Sequence, residues 1–389
     1  ITGTDFGDNI LGGAGQDTID GGAGIDTIDA GDDADTIILT DGYEADVISG
    51  GEGTTAGGVD NDTLDVSALP LAVNVILSAD ETGNINDGVD VATFSGIESF
   101  ILTDGGDAFD GQLASTSGAT VFGGLGIDSL IGTDADDSLT GDEGQDFIDG
   151  GTGADTISTG DDADAILLTD NFGNDTITGG EGTTSGGADS DTLDASALSL
   201  GVDITLTGDE AGTATLGADT ATFSEIEEFV LSSQGDSFDG SAAATTGTSV
   251  NAGDGDDSIT GTAVADSLLG GAGQDTIDGG AGVDTIDGGD DADTIVLSDG
   301  FGNDVISGGE LISTGTDFDT LDTSNLTSSV NVTLTADEIG TAVSGGDTAA
   351  FTGIEAYVLS GNDDTFDATA STSSAISVDA GAGSDSILG

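Results

Sequence analysis

The sequence predicts an all-β chain, a parallel β-roll or β-helix solenoid, on three observations. The first is a long internal period. Gly3, Gly132 and Gly261 correspond, as do Gln16, Gln145 and Gln274, and each step is 129 residues. Phe94 and Phe223 keep that step, and Phe351 follows after 128. The second is a nine-residue period nested inside the first. The third is the place of the apolar residues: an aspartate is followed two residues later by Ile, Leu or Val in each short copy. Self-similarity of this kind marks an array in which each structural turn packs on its neighbours.

The short copies read GTDFGDNIL (3–11), GGAGQDTID (12–20), GGAGIDTID (21–29) and AGDDADTII (30–38), then DGYEADVIS (41–49) after two extra residues. Equivalent runs recur at 123–178 and 252–307, and AGAGSDSIL closes the chain at 380–388. The expected organisation is therefore three tandem units. Unit one is 1–131, with nonapeptide turns at 3–49 and wider solenoid turns at 50–122. Unit two is 132–260, with nonapeptides at 123–178 running into it and wider turns at 179–251. Unit three is 261–389, with nonapeptides at 252–307, wider turns at 308–379 and a final turn at 380–389.

A nine-residue unit can hold a six-residue turn and a three-residue strand. The strand D-x-U, with U a large aliphatic, turns one side chain inward, and stacked copies build a narrow core. Ile19, Ile28, Ile37, Ile148, Ile157, Ile277, Ile286 and Ile295 are such inward positions. The turn needs left-handed backbone and close approach of carbonyls, which glycine permits. The sixth residue then supplies one carboxylate per turn.

Charge decides what those carboxylates need. The chain has 77 Asp plus Glu and no Lys, Arg or His, a net charge of -77. No internal cation can relieve that repulsion. The composition alone resembles a disordered chain, but 35% hydrophobic residues at fixed positions argue for a core. Cations from solution are then part of the fold. Calcium takes six to eight oxygens, which carboxylates and turn carbonyls can supply. Magnesium's rigid octahedron fits less well, and zinc lacks its Cys and His ligands. The bland alternative is a solvated acidic face, which would require neither aligned glycines nor a nine-residue period.

The template G-G-x-G-x-D-x-U-x resembles the repeats-in-toxin (RTX) family, whose nonapeptides form a calcium-bound parallel β-roll. The resemblance implies calcium ions between stacked turns, with ligands at the matching positions. These are Asp8, Asp17, Asp26, Asp35 and Asp46 in the first unit, and Asp128, Asp137, Asp146, Asp155, Asp164 and Asp175 in the second. In the third they are Asp257, Asp266, Asp275, Asp284, Asp293 and Asp304, with Asp385 at the end. Turn positions one and three are further candidates: Gly12 and Ala14, Gly21 and Ala23, Gly150 and Thr152, Gly270 and Ala272, Gly279 and Ala281. Some copies depart from the template. Asp32, Asp161 and Asp290 stand at the third position, where an aspartate is expected to tolerate left-handed backbone. Asp33, Asp162 and Asp291 are expected to add ligands. Copies 3–11, 132–140 and 261–269 lack the double glycine, and Glu44 replaces the glycine found at Gly173 and Gly302, so weaker ion sites are expected there.

The wider turns read differently. Val73, Val75 and Leu77 alternate, as do Val202, Ile204 and Leu206, and Val330, Val332 and Leu334, the signature of a half-buried strand. FSGIESFIL (94–102) and its counterparts form a second strand region, and AFDG (108–111), SFDG (237–240) and TFDA (365–368) come next. Phe94, Phe109, Phe223, Phe238, Phe351 and Phe366 are expected in the core. A small separate β-domain is the alternative.

Composition also excludes functions. Without His, Cys, Lys or Arg the chain can build no nucleophilic triad, Schiff base or cationic clamp. A carboxylate pair could cleave a glycoside, but there is no Trp to platform a sugar. No enzyme activity is expected, and no binding to nucleic acid or anionic lipid. No apolar run is long enough to insert in a membrane. The absent initial Met and the mid-repeat ends suggest a processed protein or a piece of a longer one. Ile1 and Gly3 match Ile259 and Gly261, and again Ile387 and Gly389, so the last turn is in register to meet another first turn. The expected function is an extracellular calcium-binding scaffold: a surface layer, filament or adhesin stalk, self-associating end to end or continuing in a longer chain. It is expected to fold on calcium outside the cell after type I secretion, as the resemblance implies. The alternative is the export and folding module of a larger secreted toxin or hydrolase.

Overall fold

The computed structural model describes residues 1–51, 60–180, 190–309, 318–372 and 375–389. Among the described residues all regular structure is β-strand, mostly three to six residues long. The chain forms two compact units. One is Ile1–Thr192 with Ala218–Glu225, and the other is Leu193–Gly217 with Ile226–Gly389.

In the first unit the chain alternates between two sheets. Thr2–Thr4, Thr18–Gly22, Thr36–Ile38 and Thr63–Asp65 pair in parallel in one. Asn9–Ala14, Thr27–Asp32 and Val47–Ser49 pair in parallel in the other. Partners within the nonapeptides are eighteen residues apart, as in Thr18↔Thr36 and Asn9↔Thr27. One full turn is therefore two nonapeptides, one per sheet. Ile19 and Ile37 stack in one sheet and Ile10 and Ile28 in the other, all turned inward and buried. Each aliphatic meets copies of itself above and below at the spacing of neighbouring strands, about 4.8 Å. The flanking strand residues face outward.

The wider turns belong to the same two sheets. In the first unit Thr63–Asp65 is followed by Ser99–Ile101 and then Thr120–Leu125, all parallel. In the other sheet Val91–Ser95 lies parallel to Val47–Ser49, then Thr82–Asn86 and Asn74–Ala79 run antiparallel in turn, and Ala108–Asp110 resumes parallel pairing on Asn74–Ala79. A three-stranded antiparallel meander is thus spliced into a parallel sheet. The alternation at Val73, Val75 and Leu77 marks its first strand, and all three are buried. The run 94–102 is not one strand region. Gly96 adopts φ 63° and turns the chain, so Phe94 closes the meander while Phe100 sits in the opposite sheet.

The second unit is built in the same way. Val330–Ala336, Ile339–Ser344 and Asp347–Thr352 form its meander, between the parallel partners Val305–Ser307 and Thr365–Asp367. Where the meander widens the turn, aromatic rings fill the core. Phe100 lies between Phe94 and Phe109, with centroids 5.4 and 5.1 Å away and tilted planes. Tyr357 is placed likewise between Phe351 and Phe366, at 5.7 and 4.9 Å. All six phenylalanines expected inside are buried.

Replacing Phe100 by Ala should cost about 3–5 kcal/mol, because the opposed sheets cannot both relax into the space. Urea unfolding in saturating calcium measures it. A loss under 1 kcal/mol would contradict the packing described.

Candidate metal centre

Each turn places its sixth residue between the loop and the strand. The backbone N–H of one such aspartate donates to Oδ1 of the aspartate one turn further along. Asp8 donates to Asp26 and Asp26 to Asp46, each at 2.7 Å. Asp17 donates to Asp35 in the same way. The series Asp107, Asp128, Asp146 and Asp164 continues it at 2.7–2.8 Å, and Asp137, Asp155 and Asp175 at 2.8–2.9 Å. In the second unit the series are Asp236, Asp257, Asp275 and Asp293, and Asp266, Asp284 and Asp304. Asp385 accepts from Asp364. Of the aspartates expected from the sequence, all are buried except Asp8, Asp17 and Asp385, which are half-buried in the terminal turns.

The second oxygen separates two kinds of turn. In Asp26, Asp35, Asp46, Asp128, Asp146, Asp155, Asp257, Asp275 and Asp284, Oδ2 is buried and makes no hydrogen bond. Where the turn opens on glycine, this oxygen fills the space that a side chain on that first residue would take. A Cβ on Gly150 would stand 2.5 Å from Oδ2 of Asp155, and one on Gly279 2.6 Å from that of Asp284. First-position glycine is thus the absence of a Cβ beside the carboxylate.

In the other kind the second residue is Thr or Ser and takes that oxygen. Thr133 donates its N–H to Asp137 Oδ2 at 2.6 Å, and its hydroxyl also reaches the carboxylate. Thr262 serves Asp266 in the same way, and Thr103 serves Asp107. The hydroxyls of Ser232 and Ser360 hold Asp236 and Asp364, and Thr4 holds Asp8. The copies lacking a double glycine, 3–11, 132–140 and 261–269, thus carry their own donor. A carboxylate held this way has less to offer a cation than Asp155 or Asp284.

Left-handed backbone falls on turn positions two and four. Gly13 and Gly15, Gly22 and Gly24, Gly151 and Gly153, Gly271 and Gly273, and Gly280 and Gly282 all have φ between 82° and 153°. The first- and third-position residues singled out from the sequence, Gly12 with Ala14 through Gly279 with Ala281, do not. The same shift applies to the acidic copies. Asp33, Asp162 and Asp291, at position four, adopt φ 82°, 87° and 77°, whereas Asp32, Asp161 and Asp290 do not. Glu44 takes φ 49° in the place of Gly173 and Gly302. At Gly173 the carbonyl of Gly153, one turn back, lies where a Cβ would stand. Turn carbonyls therefore point along the stack at the next turn.

Burial without a counter-charge raises these carboxyl groups. Desolvation pushes Asp155 up to about 8, Asp46, Asp128, Asp257 and Asp284 to about 7, and Asp146, Asp175 and Asp304 to about 6. Neighbouring aspartates add to the shift in several of them. A buried ionised carboxylate is costly unless it is paired, and no basic side chain exists to pair it. A hard cation fits this donor set. Among the described residues no three acidic side chains converge, so the oxygens it needs come from single carboxylates together with turn carbonyls.

The family description RTX calcium-binding nonapeptide repeat matches in four copies, at residues 2–37, 122–157, 167–183 and 260–295. Over those residues the chain carries RTX calcium-binding repeats. No curated protein matches it. These RTX turns bind multiple calcium ions. Calcium supplies positive charge against buried carboxylates, and the turns hold those carboxylates in place through the amide ladder.

The ladder also contains acids that the sequence reading passed over. Asp62 accepts the N–H of Asp35 and donates its own to Glu98 at 2.7 Å. Asp191 and Asp319 take the same place after Asp164 and Asp293, and Glu355 matches Glu98. The clue was present. Gly50-Gly51, Gly179-Gly180 and Gly308-Gly309 open turns whose D-T-L-D closes them after an insertion.

Two outcomes follow. Asp155→Asn should weaken calcium uptake, whereas Thr133→Val should cost about 1–3 kcal/mol from a buried acceptor losing its donor, with calcium stoichiometry kept. Calorimetric calcium titration and urea unfolding separate them. A Thr133→Val chain that loses a calcium ion contradicts the division. The second concerns pH. The folded carboxyls titrate above their unfolded value near 3.8, so without calcium their contribution is present at low pH and lost as pH rises through about 6–8. In EDTA, β-structure by circular dichroism should grow as pH falls from 8 to 5.5. A fall in β-signal over that range contradicts it.

Proposed function

We propose that the chain is an extracellular, calcium-folded structural repeat protein, an acidic scaffold of a surface layer, filament or adhesin stalk. The observation that carries this is the recurrence, turn after turn in both units, of buried carboxylates whose second oxygen lacks a protein partner. Where calcium is scarce the repulsion of 77 acids opposes folding, which suits export by type I secretion. Where calcium is plentiful, binding energy becomes folding energy. The reading assigns the chain no catalytic role, since the acids are engaged in the turns and no His, Cys, Lys or Arg is available.

Self-association end to end is part of the proposal. The ladder has a direction, because each turn's amide donates forward to the next carboxylate. Asp8 donates to Asp26 and Asp364 to Asp385 in this same sense. Copies that met with this direction kept would make a heterologous head-to-tail contact, the kind that propagates. The alternative is the export and folding module of a larger secreted toxin or hydrolase.

Electron microscopy of the purified chain with and without calcium tests the choice. Filaments or sheets that appear with calcium support the scaffold, and monodisperse particles at high concentration support the module. Equal β-content in EDTA and in calcium at pH 7.5 would defeat calcium-driven folding altogether.

A further inference from the structure

Asp60 lies in a part of the chain that the nonapeptides do not cover. It follows residues 52–59, which separate Gly50-Gly51 from the ladder residue Asp62. As a residue it is half-buried, yet both its carboxylate oxygens are buried and neither makes a hydrogen bond. It is the one described residue with both carboxylate oxygens in that condition. Asp62, two residues after Asp60, accepts the N–H of Asp35 and donates its own to Glu98, each at 2.7 Å, which sets Asp60 next to both and within reach of their charge. Asp35 is 1% exposed; its Oδ1 accepts the amide of Asp17 at 2.7 Å, and its Oδ2 has no partner. Two acids within electrostatic reach thus present three unpartnered buried oxygens in a chain with no basic side chain.

We propose that Asp60 is a ligand of a divalent cation held at the Asp35 turn, giving that turn a second carboxylate. This rests on the reading that the turns bind calcium. Three carboxylate oxygens and the neighbouring turn carbonyls form an all-oxygen set, which suits calcium. Burial of both oxygens distinguishes Asp60 from acids such as Asp41, which is exposed. Additional ligand charge tightens a calcium site, so the Asp35 turn binds more strongly than turns with one carboxylate. Aspartates also stand at the equivalent sequence positions, Asp189 and Asp317.

Calcium titration of the full chain by isothermal calorimetry tests this, with circular dichroism at saturating calcium to confirm that each variant folds. Asp60→Asn should lower the affinity of one site per chain by about tenfold or more, and Asp41→Asn should not. Asp35→Asn should affect the same site, so the double variant should lose no more sites than either single one. An Asp60→Asn chain with unchanged count and affinity overturns the proposal and leaves calcium-bound turns standing. Loss of a separate site in the double variant overturns it equally. Absence of calcium uptake by the unsubstituted chain would instead defeat the reading on which it rests.

Discussion

A buried carboxylate with no basic residue to meet it is the constraint from which the rest of this structure follows. Beyond the first turns, the ladder fixes one oxygen of the sixth-position aspartate to the amide of the turn before, and so holds the anion inside the stack. The other oxygen must be answered by a hydroxyl and an amide, by a proton or by a cation. The chain uses the first answer at Asp137 and Asp266 and leaves it open at Asp155 and Asp284. Burial that would merely destabilise an ordinary protein here makes folding conditional on what the solvent supplies.

The two kinds of turn divide the work. A threonine or serine at turn position two makes a rung complete in itself, while a left-handed glycine there leaves the carboxylate without its donor. Hydrogen-bonded rungs occur in both units, among rungs that need a cation. The meanders do something else. They bring further aromatic side chains into a core that the nonapeptides fill mostly with aliphatic residues, apart from Tyr43, Phe172 and Phe301, and rings bury more apolar surface per residue. Stability in those stretches draws also on conventional packing.

The segments between nonapeptide blocks are continuous with the fold in sheet pairing and in the amide ladder. Asp62, Asp191 and Asp319 keep the ladder running although more residues separate them from the paired glycines. Glu98 and Glu355 extend it with a longer side chain. An insertion inside a turn is tolerated because the ladder needs only its end points, the paired glycines and the aspartate.

Much of this was legible in the residues. The nine-residue period set one strand per nonapeptide, the inward aliphatics and the sixth-position carboxylates. The absence of any basic residue required a cation from outside. Those are local facts, because side-chain alternation and turn chemistry act within a few residues. The eighteen-residue pairing came from the fold, since it depends on two sheets closing over one core. So did the antiparallel meander, because alternation at Val73, Val75 and Leu77 marks a strand but not the direction of its partner. The left-handed positions were misplaced by one in Asp32 and Asp33, where backbone geometry decides and both residues are aspartate. Which carboxylates are satisfied by a hydroxyl, and which wait for a cation, was decided only by the stack, because that requires the turn, its neighbour and the burial between them at once.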